Sequence, residues 1–153
     1  VVFSGADKGN KENIIAYAKK LGIQDRLVFT GFISNKELIS LYKYSIALVM
    51  PTFFGSTNIP PLEAFKIGVP VIYPDLDGLR EQVQDAALLV DLYDPETLST
   101  SLLNLIKDKN LRDNLINKGH ILSKKIETFN RIKTLNDILK NYLIKFSTFR
   151  KIN

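Results

Sequence analysis

The feature that most constrains this chain is an alternation of short apolar runs with stretches of helical periodicity, with no hairpin signal between any two runs. The runs are Val1–Ser4, Leu27–Phe29, Ile46–Met50, Val69–Tyr73 and Ala87–Val90. A strand with one face in water alternates apolar and polar residues, whereas a continuous apolar run has to be covered on both faces. The covers are the intervening helices, and strands joined by helical crossovers run parallel. The predicted fold class is therefore α/β, a doubly wound Rossmann-like parallel sheet followed by C-terminal helices.

Local signals agree with that reading. Ile14, Ile15, Tyr17, Ala18 and Leu21 recur at helical spacing, and Gly22 supplies a stop. Ser34 stands three residues before Glu37, the capping-box spacing, and Leu38, Leu41 and Tyr42 give the helix an apolar side. Pro60-Pro61 marks a helix start, Leu62, Ala64, Phe65 and Ile67 fill a short helix, and Gly68 ends it. Leu79–Val83 reads as a helical turn, and Asp94-Pro95-Glu96 opens a helix with Leu98, Leu102, Leu103 and Ile106 on one side.

From Leu111 onward the pattern is purely helical. Ile132, Leu135, Ile138, Leu139, Tyr142, Leu143 and Phe146 form a stripe, with Lys133, Lys140 and Lys145 mainly off it. Such a stripe is expected to dock on the domain's own sheet or on a neighbouring domain. A basic amphipathic helix lying on the anionic inner membrane surface is the alternative.

The net charge of +5 is unevenly placed: residues 1–106 carry −3 and residues 107–153 carry +8. The organisation expected is thus a ligand-binding body, 1–106, and a basic helical segment, 107–153. The basic character belongs to the tail, so no nucleic acid partner is expected for the body. The chain has no Cys and one His, which excludes disulfides, thiolate zinc sites and cysteine nucleophiles, and no metal is expected. No apolar run approaches the ~20 residues of a membrane span, and the expected location is cytoplasmic. Val1 opens the chain inside a strand-like run and is not Met, which reads as a piece of a longer protein.

Doubly wound sheets bind ligands at the carboxyl ends of their strands. The informative loop follows Met50: Gly55-Ser56-Thr57-Asn58-Ile59 runs into Pro60-Pro61-Leu62-Glu63. Backbone amides at a helix start lack intrahelical partners and sit at the positive end of the dipole, a setting that suits a phosphate or diphosphate. Glu63 is placed in the first turn, where it either accepts hydrogen bonds from two adjacent sugar hydroxyls or only offsets the dipole. Arg80 is expected to pair with a neighbouring acid, and His120 to be solvent-exposed.

These blocks together resemble the C-terminal half of the retaining glycosyltransferases of family four. The blocks are Leu27–Phe32 with Ser34 and Glu37-Leu38, Met50-Pro51, Pro60-Pro61-Leu62-Glu63-Ala64, Gly68-Val69-Pro70-Val71, Gly78-Leu79-Arg80-Glu81, Asp85–Asp91 and Asp94-Pro95-Glu96. The resemblance runs from about Val1 to about Ile106 and implies the GT-B fold, two Rossmann-like domains facing a cleft, whose C-terminal domain holds the nucleotide-sugar donor. It implies that Glu63 binds the donor ribose hydroxyls and that Ser56, Thr57, Asn58 and Ile59 line the donor sugar and diphosphate. Phe32 and Ile33 lie where the base packs, and Gly78 borders the same cleft.

Two departures bear on the chemistry. The usual motif has an acid eight positions before the second glutamate, and here that position is Gly55, which resembles a variant of the motif; no catalytic residue is assigned. The preceding βα unit, with the Arg and Lys that neutralise the diphosphate, and the acceptor-binding N-terminal domain are expected upstream of Val1. The function implied is transfer of a sugar, mannose-type among the options, from a nucleotide-sugar to a glycan or lipid-linked acceptor with retention, in lipopolysaccharide or surface polysaccharide synthesis. This portion alone is expected to be inactive. The alternatives are a sugar-nucleotide epimerase-like enzyme and a non-catalytic nucleotide-binding module.

Overall fold

A computed structural model describes residues 1–55, 58–128 and 131–150. The chain forms two compact units, Val1–Ser45 and Ile46–Asn153.

In the first unit, strand β1 (Val2–Ser4) pairs in parallel with β2 (Val28–Gly31), Val2 opposite Val28 and Phe3 opposite Phe29. The Phe3 and Phe29 rings stack with centroids 4.8 Å apart. The register then slips by one residue so that Ser4 faces Gly31, and the Gly5 amide donates to the Gly31 carbonyl at 2.8 Å. Helices α1 (Lys11–Lys20) and α2 (Asn35–Tyr44) follow the two strands. The capping box at α2 is formed in both directions: the Glu37 amide donates to Ser34 Oγ and the Ser34 amide to Glu37 Oε2. The Ser34 hydroxyl, and then its amide, hold the Glu37 carboxyl below its ordinary value.

These strands differ from expectation in burial. Val2 and Val28 are about half exposed. Among the described residues β1 and β2 form a sheet of their own, and two strands cannot cover both of their faces.

The second unit holds a parallel sheet in the order β3 (Leu48–Val49), β4 (Val71–Pro74), β5 (Ala87–Val90). Its helices are α3 (Ile59–Ile67), α4 (Arg80–Val83), α5 (Pro95–Lys107), α6 (Lys109–Thr128) and α7 (Arg131–Arg150). Central β4 is paired on both edges and every one of its residues is buried, as a continuous apolar run requires. Ile72, Val90, Leu105 and Leu115 form one core cluster, so sheet, α5 and α6 share a single interior.

Two strands of this unit differ in extent from the sequence reading. The run at Ile46–Met50 yields a strand of only Leu48–Val49, although Met50 still donates to the Ile72 carbonyl at 3.2 Å. The strand expected from Val69 begins at Val71. Gly68 takes a left-handed conformation (φ +88°) at the C-cap of α3, and the Val69 amide bonds back to Ala64, so Val69 serves the helix end.

Helix α6 lies along α3. Gly119 is buried against Phe65, so close that a Cβ there would come within 2.7 Å of the ring. His120 departs from the expectation of solvent exposure: it is half-buried, with Nε2 3.1 Å from where a Cβ on Gly68 would sit. A glycine at the end of α3 is what makes room for the imidazole.

On α7, Leu135, Ile138, Leu139, Tyr142 and Leu143 are all at least half exposed; the side chains of Ile132 and Phe146 lie outside the described residues. No helix among the described residues is long and apolar enough to cross a membrane.

Candidate functional site

The loop leaving β3 is shaped by its own side chains before it reaches α3. The Thr52 hydroxyl accepts from the Phe54 amide at 3.2 Å and donates to the Phe54 carbonyl at 2.9 Å, closing a tight turn. Gly55 follows at φ +114°, a conformation that L side chains avoid. Ser56 and Thr57, both assigned to the donor from sequence, lie outside the described residues.

Helix α3 starts at Ile59, one residue earlier than the Pro-Pro pair suggests, with Asn58 as its N-cap. An N-cap Asn normally accepts from the amide of the second or third helical residue. Here those residues are Pro60 and Pro61, which have no N–H, and Asn58 makes no side-chain cap bond. The prolines also thin out the free amides expected at this helix start. The Asn58 amide itself donates to Gln82 Oε1 at 3.3 Å, so within the described residues the Ile59 amide is the donor at the helix end outside the intrahelical ladder.

Released from capping, the Asn58 side chain turns inward. Its Nδ2 donates to the Tyr73 hydroxyl at 2.5 Å and to the Phe54 carbonyl at 3.4 Å. The Tyr73 hydroxyl donates in turn to Gln82 Oε1 at 3.1 Å, and Gln82 Nε2 donates to the Asn58 carbonyl at 2.5 Å. Asn58, Tyr73 and Gln82 thus tie the N-terminus of α3 to the end of β4 and to α4. Sequence reading missed Tyr73 and Gln82. The available signal was a tyrosine within a fully buried strand, whose hydroxyl needs a partner.

The starting point of α3 also moves Glu63. It is the fifth helical residue, beyond the first turn, and is half-buried. The reading in which it merely offsets the dipole loses force, because that effect fades within the first turn.

Of the other assigned residues, Ile59 is exposed at the head of α3. Gly78 sits in the β4–α4 loop at φ +81°, its amide donating to Glu81 Oε2 at 2.5 Å. Asn58, Ile59, Glu63 and Gly78 belong to the second unit, whereas Phe32, almost fully exposed, and Ile33, half-buried, belong to the first. Arg80 pairs as expected, with Asp75 at 2.5 Å and Asp77 at 3.3 Å. Among the described residues, no three His, Asp or Glu side chains gather as a metal-holding group.

The family described as "Glycosyl transferases group 1" matches residues 1–121 of the chain. The chain belongs to the group 1 glycosyl transferases. An Escherichia coli protein named O-antigen chain mannosyltransferase B is 28% identical over 113 residues, covering 74% of this chain and 26% of that protein. The solved sucrose-phosphate synthase of Thermosynechococcus elongatus superposes with a TM-score of 0.73 at 21% identity, over 96% of this chain and 38% of the other. Anabaena HepE, solved in complex with UDP, superposes with a TM-score of 0.68 at 19% identity, over 94% and 40%. The chain spans about a quarter of the length of the curated relatives it matches. The fold is that of the C-terminal domain of GT-B glycosyltransferases, an α/β domain with parallel sheets.

Proposed function

We propose that this chain is the donor-binding portion of a longer glycosyltransferase. That enzyme passes a sugar from a nucleoside diphosphate to a glycan or lipid-linked acceptor with retention, in the assembly of lipopolysaccharide or another surface polysaccharide. The observation that carries this reading is Glu63: a half-buried carboxylate one turn into α3, behind a loop that leaves the carboxyl end of a parallel strand. Family membership, the mannosyltransferase among the relatives and the UDP bound in HepE support it.

In this reading Glu63 accepts hydrogen bonds from the two ribose hydroxyls. Asn58 and Ile59 face the sugar and diphosphate. Gly78 borders the donor. The bond between the anomeric carbon and the diphosphate oxygen breaks, an acceptor hydroxyl oxygen bonds to the same face of the sugar, and the hydroxyl proton passes to the departing diphosphate. The negative charge leaves on the diphosphate and needs cationic groups to stabilise it. Those groups, and the acceptor site, come from the rest of the longer enzyme.

The test is ribose discrimination in the full-length enzyme. A charge-assisted hydrogen bond contributes about 1.5–3 kcal/mol, so removing the ribose 2′-hydroxyl should weaken donor binding roughly tenfold or more. Glu63→Ala should weaken the normal donor and abolish the discrimination. Equal discrimination in wild type and variant would remove Glu63 from the site.

A further inference from the structure

Tyr73 is fully buried, and its hydroxyl lies between two side chains, accepting from Asn58 Nδ2 and donating to Gln82 Oε1, while Gln82 in turn bonds the Asn58 backbone. Gln82 grips Asn58 from the backbone side, accepting from its amide and donating to its carbonyl. Tyr73 grips the side chain. The prolines at the second and third helical positions remove the amides that would otherwise compete for that side chain.

The consequence falls on residue 55. With Asn58 held in this way, a Cβ on Gly55 would stand 2.1 Å from Asn58 Oδ1 and 2.8 Å from Nδ2. The Asn58 amide occupies the space into which a side chain at 55 would project. Gly55 and Asn58 therefore behave as one unit: position 55 has to be glycine while Asn58 points inward. The place where the related motif carries an acid holds a neutral carboxamide.

We propose that Tyr73 and Gln82 are positioning residues for sugar transfer, holding Asn58 as the group that takes the place of a side chain at position 55. The proposal rests on the donor-site reading of the α3 start. Neither residue touches the donor; both act through Asn58.

The experiment uses the full-length enzyme with Tyr73→Phe, which deletes one oxygen, and Gln82→Met, which keeps the length of the side chain and removes its hydrogen bonds. Turnover, the affinity for free nucleoside diphosphate and the melting temperature are measured together. Expected are a fall in kcat of about tenfold or more in each variant, a smaller loss in nucleoside diphosphate affinity than in kcat, and a double variant no slower than the slower single one, since both act through one residue. Should Tyr73→Phe fail to fold, Gln82→Met, at a half-buried site, carries the same test. Folded variants with unchanged kcat would overturn the positioning role while leaving the donor site in place. A wild type that binds no nucleoside diphosphate would overturn the donor-site reading, and the positioning role with it.

Discussion

The ring of Phe65 fills the space beside Gly119: a Cβ on residue 119 would stand 2.7 Å from Cδ1 and 3.2 Å from Cγ. Because Phe65 is 1% exposed and lies two residues after Glu63 on the same helix, α6 fixes where α3 can sit. Gly119→Ala forces the two helices apart and should cost about 1–3 kcal/mol. The urea midpoint of unfolding measures it, and a midpoint equal to wild type would show that α3 and α6 pack less closely than described.

Gly68 and His120 form the other end of the same contact. Gly68 adopts φ +88° at the C-cap, and a Cβ there would meet His120 Nε2 at 3.1 Å. Gly68→Ala should lose about 1–2 kcal/mol from the left-handed backbone alone. Adding His120→Ala relieves the contact but not the backbone strain, so the double variant should recover little of the loss caused by Gly68→Ala. Denaturant melts of the four proteins separate the two contributions.

The order of elements was readable because the strands of the second unit are uninterrupted apolar runs and several helices carry their own stop or cap. Ser34 with Glu37, Asp94 before Pro95, and Gly68 all do in the structure what their spacing indicates. Strand boundaries were less readable, since Val69 is apolar enough for a strand but its amide is taken by the end of α3. At the candidate site, Glu63 and the Asn58–Ile59 loop end were singled out from order and resemblance. The Asn58–Tyr73–Gln82 bonds were not, because they join residues 15 and 24 positions apart through side chains that leave no periodic trace. The crowding between Gly55 and Asn58 is likewise a matter of rotamer, which one sequence does not reveal.

Acid should weaken one surface link in a defined direction. Lys118 Nζ lies 3.0 Å from Asp85 Oδ2, and that hydrogen bond, then its charge, hold the Asp85 carboxyl below its ordinary value. A depressed carboxyl contributes stability that is whole above the ordinary aspartate range, near ~3.9, and is lost as the pH falls through the lowered native value. Asp85→Asn should therefore lower the urea midpoint slightly at neutral pH and not at all once the carboxyl is protonated. Asp85 is largely exposed, so added salt should shrink the neutral-pH difference further. A difference that grows on acidification would contradict the pairing.

The most direct test of the donor site is an amide-resolved NMR titration of this chain with UDP, GDP and ADP in turn. The account predicts saturable shifts for at least one of them at the amides of Asn58, Ile59, Leu62 and Glu63, and loss of those shifts in Glu63→Ala. Saturable binding that leaves the α3 amides unmoved, or no shift there at millimolar nucleotide with any of the three, would contradict it.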